Sequence, residues 1–230
     1  MPRIRNQDGF GCDPTPRWPA PNTEPALVLI RHGETEWSRS GQHTGRTDIA
    51  LTELGERQAR AAGPLIRGVL GGTEPALVLS SPRQRARRTA ELAGFAIDDT
   101  ADDAAEWDYG ELEGLTSSQI RQRWPDWSIW SGSVPGGEDA AAVTARFDRL
   151  LATIGTRLAA GGRSGPALVF SHGHAIRCLA ARWLGDPVTA GQQFWLGTGA
   201  VCSLGYEHDR PVVLRWNVDS SLSPAGGPRG

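Results

Sequence analysis

Thr23-Glu24-Pro25-Ala26-Leu27-Val28-Leu29 returns unchanged as Thr73-Glu74-Pro75-Ala76-Leu77-Val78-Leu79, and a looser copy stands at Gly165-Pro166-Ala167-Leu168-Val169-Phe170. Each copy is a turn residue followed by a short, unbroken apolar run. Such a run reads as a strand buried on both faces, the kind found inside a parallel sheet. The intervals are too unequal for a solenoid. That small buried strands resemble one another suffices to explain the repetition.

Helical patterns fill the intervals. Thr52 can cap a segment carrying Leu54, Ala61, Leu65 and Val69, kinked at Pro64. Ser81-Pro82 reads as a cap followed by proline at the first helical position, with the helix running to about Leu92. From Asp139 to Ala159 the residues Val143, Phe147, Leu150, Leu151, Ile154 and Leu158 make a stripe of helical period. His174 to Leu184 carries Ile176, Leu179, Ala180 and Trp183. Val201–Tyr206 and Val212–Trp216 flank His208-Asp209-Arg210-Pro211 and suggest a hairpin or edge pair. Strands alternating with helices predict an α/β fold with a mostly parallel sheet.

The chain has 230 residues and a net charge of −2. That length suits one good-sized domain, expected over residues 23–218. The Pro-rich stretch 1–22 and the Ser/Pro/Gly stretch 219–230 lack the apolar content to order themselves and are expected to be disordered tails. The longest apolar run is Ala26 to Ile30, far short of the roughly 20 residues of a membrane span. No apolar stretch follows the N-terminal charges, so no cleaved signal is expected. All 24 basic residues are arginine. Coding bias explains this simply, yet it removes Schiff-base and P-loop lysine chemistry. Three widely spaced cysteines, Cys12, Cys178 and Cys202, make neither a disulfide framework nor a zinc motif. The expected location is the cytoplasm.

Ligands of open α/β sheets sit beyond the carboxyl ends of the strands. After the three apolar runs come Arg31-His32-Gly33-Glu34-Thr35, Ser80-Ser81-Pro82-Arg83-Gln84-Arg85 and Ser171-His172-Gly173-His174. A lone histidine there would more often be structural. Two His-Gly pairs and an arginine pair after matching strands favour a site. Arginine forks fit phosphate oxygens, helix N-termini add partial positive charge, and neutral imidazole can attack phosphorus.

These segments resemble the histidine phosphatase superfamily, in its phosphoglycerate mutase-like branch. Arg31-His32-Gly33-Glu34-Thr35 is similar to the RHGE signature, and Ser81 to Ala90 to the S-P-x-x-R-A-x-x-T-A segment. Glu106-Trp107-Asp108-Tyr109-Gly110-Glu111-Leu112-Glu113-Gly114 is similar to E-x-x-[FY]-G-x-x-E-G, and Ser171-His172-Gly173 to the closing motif. Trp37-Ser38, Gly41 to Gly45 and His172 to Arg177 look most like the sub-branch of the fungal sedoheptulose-1,7-bisphosphatase. Ser38 stands where the mutase pattern has Asn, and His43 where the fungal enzyme has Tyr. The resemblance implies a three-layer α/β/α fold with an antiparallel edge strand beside the parallel sheet.

It also implies the chemistry. His32 takes the phosphoryl group. Arg31, Arg85 and His172 hold its oxygens. Glu106 protonates the leaving group and then activates water. Ser38, Thr44, Gly45 and Gly173 are candidate secondary phosphate contacts, and Tyr109 is a candidate pocket wall and donor. Arg83 and Arg177 are candidates for a second anionic group. Without the resemblance, Glu106 would be one carboxylate of an acidic surface stretch. No metal or cofactor is required. The expected partner is a small phosphate ester, with no nucleic acid and no membrane, and the chain a monomer or homodimer.

Four rival functions stand beside this reading. A phosphoglycerate-type mutase shares the fold, and a broad-specificity acid phosphatase shares the chemistry. A metal hydrolase could use His172 and His174 as an H-x-H pair with His32 and Asp108. Nucleic-acid binding could use Arg83 to Arg88, although the chain is net acidic. Trp124, Trp127 and Trp130, among Pro125, Pro135 and Gly136-Gly137, read as an irregular insertion over the site or as plain packing.

Overall fold

The computed structural model describes residues 24–162 and 164–219. The expected tails, 1–22 and, apart from Asp219, 219–230, lie outside the described residues. Six strands form one sheet in the order β3-β2-β4-β1-β5-β6: β1 (Leu27–Arg31), β2 (Leu77–Ser80), β3 (Asp99–Thr100), β4 (Ala167–Ser171), β5 (Val201–Glu207) and β6 (Arg210–Val218). β1 to β4 run parallel, β5 runs antiparallel to β1, and β6 antiparallel to β5. The reversed strand is therefore β5, and its hairpin partner β6 is the edge.

The three recurring phrases are β2, β4 and β1, side by side with β4 between the other two. Their side chains alternate between two cores. Leu27, Leu29, Leu77, Leu79, Ala167 and Val169 face one; Val28, Ile30, Val78, Leu168 and Phe170 face the other. This is why the runs are continuously apolar: a strand covered on both faces has no polar side. Fully burying each Val, Leu or Ile contributes about 1.5–3 kcal/mol, so one charge in β4 would disrupt the layer that its side chain faces.

Helices α2 (Glu53–Leu70) and α3 (Gln84–Ala93) cover one face. α5 (Ala140–Ala160) and α6 (Gly173–Trp183) cover the other. Two shorter helices, α1 (Glu36–Ser40) and α4 (Ser117–Arg123), sit in the connections. Thr52 caps α2 by accepting from Gly55 N at 3.0 Å, as expected. The helix is assigned without interruption through Pro64. Asp139 caps α5 the same way, accepting from Ala142 N at 2.8 Å.

One expected cap fails. α3 starts at Gln84, its N-cap is Arg83, and no side chain caps it. Ser81 Oγ lies two residues short of that cap position: it accepts from Arg83 N at 3.3 Å and pairs with His172 Nε2 at 2.7 Å. The hairpin turn is shorter than the sequence suggested: Arg210 and Pro211 belong to β6. His208 takes φ 53. An edge strand tolerates proline because its outward side makes no ladder bond.

Candidate active site

Parallel register brings the strand ends together. Arg31 at the end of β1 is level with Ser171 at the end of β4. His32 N donates to Ser171 O at 3.0 Å, and Ser81 N donates to Phe170 O at 2.9 Å. The His32 and His172 rings meet edge to face with centroids 5.2 Å apart. Beyond them lies a cavity of about 170 Å³ whose lining includes Arg31, His32, Thr44, Glu106, His174 and Arg177.

His32 is 5% exposed, and its Nδ1 lies 2.7 Å from Gly33 O. A carbonyl only accepts, so Nδ1 carries the proton. Burial, then the Arg85 and Arg31 guanidinium groups, hold the imidazole well below the ordinary histidine range. The ring is therefore neutral, with a bare lone pair on Nε2. Gly33 permits the loop's closeness to α2: a Cβ there would lie 2.1 Å from Gly55 O.

Arg31 donates from Nη1 to Leu196 O at 2.5 Å. Its Nε is buried and meets no acceptor among the described residues. A phosphoryl oxygen would satisfy such a donor. Gly173 leaves room for this guanidinium: a Cβ there would stand 3.3 Å from Arg31 Cζ and press on it.

Arg85 and His172 are fully buried and do not line the cavity. Arg85 Nε donates to His172 Nδ1 at 3.1 Å, which makes Nδ1 the acceptor and leaves the His172 proton on Nε2, facing Ser81 Oγ. The Arg85 Nη atoms donate to Thr47 O at 2.9 Å and Thr44 O at 3.0 Å. The segment carrying those carbonyls is held by Glu113, which accepts from Gly45 N, Arg46 N and Thr47 N.

Glu106 is 8% exposed and lies at the N-terminus of α6. Oε1 accepts from Trp107 N at 2.9 Å and Ala175 N at 2.8 Å; among the described residues Oε2 accepts only from His174 N, at 3.1 Å. The spare lone pair, and so the place for a transferable proton, is on Oε2.

The remaining candidates divide. Thr44, Ser38, Tyr109, Gly173 and Arg177 line the same cavity as His32. The Ser38 hydroxyl is already engaged in the α1 capping box: it accepts from Thr35 N at 2.9 Å and donates to Thr35 O at 3.0 Å. Arg83 and Gly45 lie apart, lining a neighbouring depression on the other side of Glu106.

His174, which the sequence offers only as half of a metal-ligand pair, also lines this cavity. Tyr109 Oη lies 2.6 Å from its Nδ1. Burial, followed by the charge of Glu106, pushes the Tyr109 phenol well above its usual range, so it stays protonated and donates. Burial and then Arg177 keep His174 neutral. Its Nε2–H makes no hydrogen bond among the described residues. Trp130 meets the His174 ring edge to face at 5.1 Å and lies under the Arg177 guanidinium at 4.5 Å. Residues 124–136 are irregular with Trp127 buried, so the tryptophans do not share a helical face. His172 and His174 thus have different protein partners, and no three His, Cys, Asp or Glu side chains converge as metal ligands among the described residues. Nor is any described helix long and apolar enough to cross a membrane.

The family profile of the histidine phosphatase superfamily (branch 1) matches residues 27–219. An acid phosphatase of Mycobacterium tuberculosis is 42% identical over 182 residues, covering 79% of this chain and 87% of that one. The sedoheptulose 1,7-bisphosphatase of Saccharomyces cerevisiae is 35% identical over 188 residues, covering 72% and 69%. A solved structure of an open reading frame product from Mycobacterium tuberculosis superposes with TM-score 0.77 at 40% identity, covering 84% of this chain and 97% of that one.

Proposed function

The chain belongs to branch 1 of the histidine phosphatase superfamily, and from that membership we propose that it is a metal-independent phosphomonoesterase that hydrolyses small sugar phosphates or bisphosphates through a phosphohistidine. The observation that carries the reading is the His32 tautomer: Nδ1–H is held by Gly33 O, and Nε2 keeps a free lone pair in a neutral ring.

In this reading Nε2 attacks phosphorus as the ester P–O bond breaks. Arg31 and the positive field of Arg85 stabilise charge on the equatorial oxygens. Glu106 gives its proton to the leaving alkoxide. The carboxylate then takes a proton from water as that water attacks the phosphohistidine, releasing inorganic phosphate and restoring the acid. His172 acts by orienting Arg85, to which its Nδ1 is bonded.

The test is a phosphate-release screen across sugar mono- and bisphosphates, with mass spectrometry of acid-sensitive adducts in a quenched reaction. Phosphate on His32 and a loss of several orders of magnitude in His32→Ala are expected, since no other nucleophile is in place. Phosphate on His172 would overturn the assignment. Turnover that depends on a bisphosphate primer, with no net phosphate release, would make the chain a mutase.

A further inference from the structure

Glu106 lies between two single turns of 3-10 helix, Asp102–Ala104 and Gly110–Leu112, on a segment that is neither helix nor strand. Its carboxylate is bonded to α6, but its backbone is gripped from a different element. Arg146, on α5, is 8% exposed and stands on the apolar stripe beside Val143, Phe147 and Leu150. Its Nη1 donates to Asp103 O at 2.9 Å and Ala105 O at 2.8 Å. Its Nη2 donates to Glu106 O at 3.4 Å and Glu138 Oε2 at 2.7 Å. Its Nε donates to Glu138 Oε1 at 2.7 Å. A guanidinium has five N–H donors, and here each has an acceptor.

Glu138 completes the grip. Its Oε2 accepts from Asp108 N at 3.0 Å, and its carbonyl accepts from Trp107 Nε1 at 2.9 Å. Its own N donates to Asp108 O at 3.0 Å. Residues on both sides of Glu106 are thus tied to one bidentate ion pair.

The pair is largely buried, with the Arg146 side chain 9% and that of Glu138 20% exposed, and such a pair is poor evidence of a purely stabilising role, because apolar residues of similar size often serve stability as well or better. A leucine or methionine would continue the α5 stripe. What only the fork supplies is fixed distance to three successive parts of the segment that carries the acid. We infer that Arg146 and Glu138 form a positioning pair that sets where the Glu106 proton meets the leaving group. The inference rests on the reading of Glu106 as the general acid.

Leaving-group dependence separates positioning of the acid from plain structure. A sugar alkoxide needs the proton, whereas p-nitrophenolate hardly does. The experiment compares kcat/KM for p-nitrophenyl phosphate and for the sugar phosphate that turns over fastest, in Arg146→Met, Arg146→Lys and Glu138→Gln. Arg146→Lys retains the charge opposite Glu138 but has three donors in place of five, so it remains informative if Arg146→Met fails to fold. The sugar phosphate should lose about ten- to a hundredfold more than the aryl phosphate, the scale of a catalytic group displaced by a fraction of an ångström or more. Equal losses on both substrates would reduce the pair to a structural role and overturn the proposal, as would no loss on either. Glu106→Gln is run alongside. If it slows both substrates equally, Glu106 is not the acid and the proposal falls with that reading. If only Glu106→Gln discriminates between the substrates, the acid stands and the positioning pair does not.

Discussion

In the proposed reading, Arg177 and His174, which line the cavity with His32, would face whatever hangs from the reacting phosphate. Arg177 Nε and Nη2 donate to Gly191 O at 3.0 Å and Gln192 O at 3.2 Å, leaving Nη1 without a bond among the described residues. It lines the cavity with His32, which Arg83 does not. Sugar bisphosphates should therefore have higher kcat/KM than matching monophosphates. A charge-assisted contact is worth about 1.5–3 kcal/mol, or roughly ten- to a hundredfold. Arg177→Ala should erase most of that preference, and Arg83→Ala far less of it. If bisphosphates and monophosphates react alike in the unaltered chain, there is one anion site, and a broad acid phosphatase becomes the better description. His174 offers a neutral N–H rather than a charge, which suits a sugar hydroxyl. Its replacement by Phe keeps a ring and removes the donor, together with the Nδ1 acceptor of the Tyr109 hydroxyl. His174→Phe should lower kcat/KM on sugar phosphates by about two- to tenfold, the value of one neutral hydrogen bond, with a much smaller change on p-nitrophenyl phosphate. Equal changes on both would deny it a part in recognising the sugar.

Elements were legible where one local signal dominated. The three apolar runs, the Thr52 cap and the α5 stripe each needed only short-range pattern, and each is where that pattern places it. The misreadings come from residues with two possible partners. Ser81 has the form of a helix cap, yet its hydroxyl pairs with a histidine ninety-one positions away, which no local rule weighs. Trp124 to Trp130 left two readings open, and both have a part: the segment is irregular, and Trp127 is buried and meets His43 across the chain at 5.5 Å. Arg146 did leave a trace: it is an arginine inside an apolar stripe, a position that burial makes costly unless every donor is matched. His174 stood in the quoted motif, but its bond to Tyr109 depends on how two distant segments meet. The cap also yields a prediction at this scale. Thr52 touches none of the proposed machinery, so Thr52→Ala should cost about 1 kcal/mol, lowering the melting temperature by about 2–4 °C. Its kcat/KM should be unchanged; a fall comparable to that of the acid variants would tie the start of α2 to the site.

Across the whole molecule, four of the five histidines are gathered at one sheet edge and kept uncharged. Burial, joined by neighbouring arginines, lowers His32, His172 and His174 well below their ordinary range, and lowers His43 from 6.5 to about 4. In the unfolded chain each returns to its ordinary value. Between the folded and unfolded values the unfolded chain binds more protons, so acidification favours unfolding. The stability these groups contribute is complete above about pH 6.5 and drains as the pH falls toward the folded values, at up to about 1.4 kcal/mol per pH unit for each histidine. Urea denaturation should therefore show stability falling steeply from pH 6.5 to pH 4.5, well before most carboxylates titrate. His43→Phe should flatten part of that fall, because it removes one group that must charge on unfolding. The lowered value of His32 acts in the opposite direction on the chemistry. A nucleophile that remains unprotonated in mild acid keeps its lone pair there, so initial rates at pH 5.5 should persist while the half-life of the enzyme shortens. Stability that held level from pH 7.5 to pH 4.5 would mean that these histidines are not buried as neutral rings, and the argument for a ready lone pair on His32 would lose its electrostatic support.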